Sequence, residues 1–213
     1  MFSYRIIWIL IVSVGVTLLC PHARADNGGG TSFAWLSIAP EIGYVHFVEA
    51  TVDKKLLAKI PARNGLTVKG HVDIGGDGIA LELAPLYAWE KGGGLFGDFN
   101  VLGGEITLAF RFGTGSFYPG IGIGFHGAHI FANRYIKSGT QLYAPVPLGF
   151  TWYFVEYLGL VFEAGLMYGG TGVKAKKVTS GSSTDDDKRN ALASDMKFGA
   201  GFAFDLLFGL RFP

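Results

Sequence analysis

The sequence is poor in charge, cysteine and proline, and each shortage closes a class of protein. Only 16% of its 213 residues are charged, against about 25% in an average domain, so a disordered chain is excluded. Eight prolines and 33 glycines without a three-residue period exclude collagen. Lys plus Arg is 18 and Asp plus Glu is 17, so no basic excess points to nucleic acid. Beyond residue 25 no segment approaches the ~20 apolar residues of a membrane helix. Gly92-Gly93-Gly94 precedes no helix, so no phosphate-cradling glycine loop is present. What is abundant is apolar: 49% of the chain is hydrophobic and 15% aromatic.

The first 25 residues read as an address. Arg5 precedes an apolar stretch from Ile6 to Leu19, and Ala23-Arg24-Ala25 supplies the small residues a signal peptidase reads. The competing reading is a membrane helix, since 6–20 is nearly uncharged; the cleavage site favours the signal. Leu18-Leu19-Cys20-Pro21 lacks the small residues expected before a lipidated cysteine. The chain therefore divides into a signal peptide, 1–25, and one domain, 26–213. That domain contains no cysteine, so an exported chain must hold together without disulfides.

Period two dominates the domain. From Met196 to Phe212 the even positions are Met, Phe, Ala, Phe, Phe, Leu, Phe, Leu and Phe, while the odd ones are mostly small or charged. Leu158, Leu160, Phe162, Ala164, Leu166 and Tyr168 likewise oppose Gly159, Val161, Glu163, Gly165 and Met167. The solvated face of a soluble strand carries Lys, Glu, Thr and Ser in quantity; here the second face is Gly and Ala with sparse charges. Small residues with pairable charges suit the inside of a narrow closed tube. The bulky face then needs an apolar solvent, and in lipid only helices or closed barrels satisfy the backbone.

Strands are expected at 33–49, 66–75, 78–90, 99–112, 116–132, 141–154, 158–170 and 195–212. Their connections alternate between tight turns, such as Gly75-Gly76-Asp77-Gly78 and Gly113-Thr114-Gly115-Ser116, and the longer loops 50–65, 91–98, 133–140 and 171–194. The fold class is all-β: an eight-stranded antiparallel up-and-down transmembrane β-barrel, short turns on the periplasmic side. Trp35, Phe117, Trp152 and Phe154 fit an aromatic belt at that rim, and Tyr44, Tyr87, Trp89 and Tyr168 one at the other.

With this architecture the chain resembles the small eight-stranded outer-membrane barrels, the group around the OmpA membrane domain, OmpX and OmpW. The likeness covers roughly 33–212 and rests on architecture. Its sharpest element, Phe208-Gly209-Leu210-Arg211-Phe212, looks like the terminal signal read by the barrel-assembly machinery, although Pro213 follows the aromatic here. The resemblance implies an outer-membrane location, contact with outer-membrane lipid and lipopolysaccharide, and assembly by that machinery.

The ionisable residues expected in the lumen are Glu41, Lys69, His71, Asp73, Glu82, Glu105, Arg111, His126, Glu163, Lys197, Asp205 and Arg211. An eight-stranded interior is just wide enough to be filled by side chains, so these charges read as an ion-paired plug, with an ion path as the alternative. Pro145 and Pro147 sit two apart, so their missing N–H groups belong to one neighbouring strand. Either one seam lacks two ladder hydrogen bonds, a lateral opening for a lipid or apolar solute, or the strand begins only after Pro147. The resemblance to OmpW would imply a conduit for hydrophobic solutes using such an exit.

A lipid-modifying enzyme ranks third: His46, Asp53, Asp98 and Ser138 fall near the outer rim but share no characteristic spacing. No catalytic residue, cofactor or metal site is assigned; His126 and His129, three apart on a strand, face opposite ways. The loop 171–194 reads as solvated, and Lys54 to Ile60 as an amphipathic turn on the membrane surface.

Overall fold

The computed structural model describes residues 35–54, 56, 58–76, 78–112, 116–155, 158–178 and 184–212. The expected signal peptide and Pro213 lie outside them, as does the side chain of Trp35.

Eight antiparallel strands close into a barrel, and the chain order of the wall is unbroken up-and-down. The wall strands are β1 (Trp35–Phe47), β4 (Arg63–Gly76), β5 (Ile79–Lys91), β6 (Phe99–Arg111), β7 (Phe117–Ile130), β8 (Ile136–Val155), β9 (Leu158–Ala175) and β10 (Lys197–Arg211). A small hairpin, β2 (Ala50–Asp53) and β3 (Ala58–Ile60), and one helix, α1 (Thr184–Ala191), occupy the long connections. β1 and β10 zip the cylinder shut from Glu41↔Gly209 to Phe47↔Ala203, and Ile38 and Phe212 exchange two backbone hydrogen bonds beyond that stretch.

Two boundaries differ from the sequence reading in a way that matters. β8 starts at Ile136, so Pro145 and Pro147 are inside the strand and the reading that places them in a loop is overturned. β4 starts at Arg63, bringing Arg63 into the wall. Of the stretch expected on the membrane surface, Ala58 and Ile60 are instead fully buried. Nor is 171–194 wholly solvated, because β9 runs to Ala175 and Leu192 is buried.

The alternation has the expected sense. Outward positions of β10 are Phe198, Phe202, Phe204, Leu206, Phe208 and Leu210, all exposed, while Ala203, Asp205, Leu207 and Arg211 are buried. On β8 the outward apolar row runs from Leu142 to Phe154. Twelve steps of about 3.3 Å at a tilt of about 40° give about 30 Å of height, the apolar band of a membrane barrel plus its girdles. Lys or Arg at the middle of that band would cost about 2–4 kcal/mol, which explains why its outward positions are aliphatic and aromatic. Trp152 and Phe154 pack edge to face at one rim. At the other, Tyr44 keeps its ring outward and donates its hydroxyl to Asn64 Oδ1 at 2.6 Å.

The short turns join β4 to β5, β6 to β7 and β8 to β9, and the long connections share the opposite end. Gly78 opens β5 with φ +88°, a left-handed conformation that favours glycine. Gly97, in the connection before β6, has φ +66°, and a Cβ there would also lie 2.7 Å from the Tyr135 ring.

Candidate functional site

The interior is filled in layers. Nearest the short turns, Asp73 is the hub: its Oδ2 accepts hydrogen bonds from Ser37 Oγ at 2.8 Å and Arg111 Nη2 at 2.8 Å, and Arg211 Nη1 stands 3.0 Å away. The same Arg111 nitrogen donates to Glu82 Oε1 at 2.6 Å. Buried carboxylates need such partners, since removing one side of a buried pair costs about 3–5 kcal/mol.

The next layer centres on Lys69. Its Nζ faces Asp205 at 2.9 Å, Glu105 at 3.2 Å and Glu163 at 3.5 Å. Around it lie His126, with Nδ1 3.6 Å from Glu105, and His71, with Nε2 3.5 Å from Glu41 and Nδ1 3.9 Å from Glu82. Glycine on the small-residue face makes the room. A Cβ on Gly209 would lie 2.6 Å from Glu41 Cγ, and one on Gly165 would overlap the Asp205 carboxylate.

Above this sits a third layer. Arg63 Nε donates to Glu90 Oε2 at 2.8 Å, and Gln141 Nε2 donates to Glu90 Oε1 at 2.7 Å. Arg63 also donates to Thr171 Oγ1 at 3.3 Å, and its guanidinium lies 4.8 Å from the Phe47 ring centre and 4.7 Å from that of Phe99. Stacked guanidinium and a fully buried carboxylate make a specific, desolvated pair.

The outermost layer is hydrocarbon. Ile60 of the hairpin, Phe96, Phe99, Ile130, Ile136 and Leu192 are buried together at the long-loop end of the barrel. Asn133 ties the loops around them: its Nδ2 donates to Phe96 O at 2.9 Å and Asp98 O at 2.7 Å, while its Oδ1 accepts from the N–H groups of Tyr135 and Ile136. Arg189 of α1 donates to Leu95 O at 3.1 Å and lies over the Tyr135 ring. Cavities of about 40 and 10 Å³ lie beside the charged layers, each with room for a few waters at most.

Eleven of the twelve residues expected in the lumen are there: Glu41, Lys69, His71, Asp73, Glu82, Glu105, Arg111, His126, Glu163, Asp205 and Arg211. Lys197 is the correction. It has the inward parity but sits at the long-loop end of β10, opposite Val173 and half-buried. Eight residues separate it from Asp205, about 27 Å along the strand. Sequence reasoning also missed Arg63 and Glu90. Parity carries the signal for both: Arg63 shares it with Lys69, His71 and Asp73, and Glu90 with Glu82.

The proline pair does what missing donors dictate. β7 and β8 are paired up to Ile121↔Leu148 and again from His126↔Tyr143, with no ladder pairs over 122–125 and 144–147. On the other side β8 stays paired to β9 through Pro145↔Met167 and Pro147↔Gly165. A smaller interruption, 70–71 against 84–85, flanks Pro85 between β4 and β5.

The four rim residues weighed for lipid chemistry each have neighbours of their own. His46 Nδ1 is hydrogen-bonded with Asn64 Oδ1 and its ring lies 4.9 Å from that of Phe204. Asp53 accepts from the Leu56 N–H, Asp98 from the Gly92 N–H, and Ser138 stands opposite Lys174. His129 faces outward as expected.

A closed antiparallel cylinder with an apolar outer band, a filled polar interior and short turns at one end defines the class: a transmembrane β-barrel of the outer-membrane type. Comparison of folds agrees for the first of three solved structures that the chain matches. Neisserial surface protein A matches with a TM-score of 0.52 at 13% identity, over 83% of this chain and 96% of that one. The N-terminal β-barrel domain of Pseudomonas aeruginosa OprF gives 0.38 at 13% identity, covering 83% and 100%. The outer-membrane protease OmpT of Escherichia coli gives 0.41 at 9%, covering 88% and 99%. At these identities the likeness concerns fold alone. No protein-family model and no curated protein matches the sequence.

Proposed function

We propose that the protein is an integral outer-membrane barrel with a plugged lumen, a structural element of the envelope that works through its outer surface and displayed loops. The layered filling of the interior carries this reading. A solute path would have to cross the Asp73–Arg111–Arg211 cluster, the Lys69 cluster, the Arg63–Glu90 pair and the apolar cap. Its surroundings follow from the same surfaces: lipid and lipopolysaccharide along the outer band, and the barrel-assembly machinery at the C-terminal stretch Phe208-Gly209-Leu210-Arg211-Phe212, which closes β10. Liposomes carrying the purified barrel should resist swelling in small sugars as protein-free liposomes do. Swelling like that of an open porin would reject the plug.

A second reading, a conduit for apolar solutes with a lateral exit, is favoured by one observation: the four-pair interruption between β7 and β8 lies within the apolar band. The Pro147 ring stands against Gly122 in that gap, where a Cβ would come within 2.9 Å of Pro147 Cγ. The larger cavity touches Gly122 and Pro147 as well as Arg111 and Glu163. Amide exchange at 122–125 faster than at the same height on β9 and β10 would support the exit, and uniform slow exchange would sink it. A lipid-modifying activity ranks third, and an acyl-chain mass shift in outer-membrane lipids of cells expressing the protein would move it first.

A further inference from the structure

We propose that the lumen binds one divalent transition-metal cation between Glu41, His71 and Glu163. The three residues come from β1, β4 and β9, and one ligand atom from each lies within 4.8 Å of the other two. All three are buried. Both carboxylate oxygens of Glu41 and both ring nitrogens of His71 have no hydrogen-bond partner among the described residues. Buried polar atoms are nearly always satisfied, and leaving a carboxylate and an imidazole bare side by side is strongly unfavourable.

The distances suit an ion better than a direct contact. His71 Nε2 and Glu41 Oε2 are 3.5 Å apart, long for a hydrogen bond. Two ligands each about 2.1 Å from a tetrahedral ion are separated by about 3.4 Å. The other His71 nitrogen faces the Glu82 carboxylate at 3.9 Å. At that distance the contact is electrostatic and leaves this nitrogen without a hydrogen bond.

Charge points the same way. The described lumen holds seven carboxylates and four Lys or Arg side chains, a formal excess of three negative charges with histidine counted neutral. Asp73 and Glu82 are engaged by arginine. Lys69 alone faces three carboxylates, and Glu163 is the most distant of them. Glu41 has no Lys or Arg within ion-pair distance among the described residues. A divalent cation at this point removes two of the three excess charges and draws three strands together across the lumen. One imidazole nitrogen and carboxylate oxygens select a Zn²⁺-, Co²⁺- or Mn²⁺-type ion over hard-oxygen cations such as Ca²⁺.

The test is Co²⁺ and Zn²⁺ binding to the detergent-solubilised, chelator-stripped barrel. Metal content after desalting gives stoichiometry, the visible band of bound Co²⁺ gives ligand type, and heat-modified gel mobility shows that each variant is folded. One ion per barrel is expected, with at least tenfold weaker binding in Glu41→Gln and in Glu163→Gln, and unchanged binding in His129→Asn. Testing two carboxylate variants keeps the result readable if one of them fails to fold. Absence of stoichiometric metal in the folded wild type, or equal binding by a folded Glu41→Gln variant, overturns the proposal. Failure here would leave the plug intact, because solute exclusion is read separately by liposome swelling.

Discussion

The two ends of the lumen are lined by different chemistry. Towards the short turns the filling is ionic: Asp73, Glu82, Arg111 and Arg211, then Lys69 among Asp205, Glu105 and Glu163. Towards the long loops it is hydrocarbon, with Ile60, Phe96, Phe99 and Leu192 capping a single ion pair, Arg63–Glu90. The ionic half grows out of the wall itself, from strands whose inward positions alternate small and charged. The apolar half is supplied partly by the connections, β2–β3 and the segment around α1, folded into the mouth. Desolvated charge demands exact partners and cavities demand volume, so the two halves should fail in different ways.

The largest effect is expected at Lys69. Lys69→Met leaves three buried carboxylates around an apolar side chain, a loss of about 5 kcal/mol, seen as unfolding at much lower urea concentration in detergent or as failure to assemble. Next comes Arg63→Met, which strands Glu90 and should cost about 3–5 kcal/mol. The double replacement Arg63→Met with Glu90→Leu should recover to within about 1 kcal/mol of wild type. A double-mutant cycle showing no recovery would mean that the pair is not isolated from the network below it. In the apolar half, Phe99→Ala should cost about 3–4 kcal/mol through cavity formation.

Smaller effects sharpen the picture of the wall. Replacing Pro145 and Pro147 together by Val restores two donors facing β7, worth about 1–2 kcal/mol of added stability, and should slow amide exchange at 122–125. At the surface, Lys59 and Glu49 form a half-exposed pair at 2.6 Å; Lys59→Ala should change stability by less than about 1 kcal/mol.

Much of this was legible in the chain before its structure. Period two fixed which side of each strand faces lipid, and so brought eleven lumen residues into view. The failures are of height and boundary. Lys197 has inward parity, but parity says nothing about position along the barrel axis. Arg63 was missed because Arg63-Asn64-Gly65 looks like loop, although Gly65 is where the backbone of β4 closes tightly on that of β5 at Trp89. Glu90 shares the parity of Glu82 at the end of the same strand, and reading parity to the last residue finds it. The grouping of Glu41 with His71 and Glu163 has no signature at all, since three strands contribute one ligand each and no local spacing announces them. The apolar cap was hidden for a related reason: Ala58 and Ile60 alternate with lysine, a pattern shared by a surface turn and a hairpin tucked into a mouth.

The central claim is that both halves of the lumen are shut at once. It is tested most directly by single-channel recording of the purified barrel in planar bilayers at both polarities. The expected result is a flat baseline without discrete openings. Stable, long-lived conductance steps from the folded wild-type protein would contradict it.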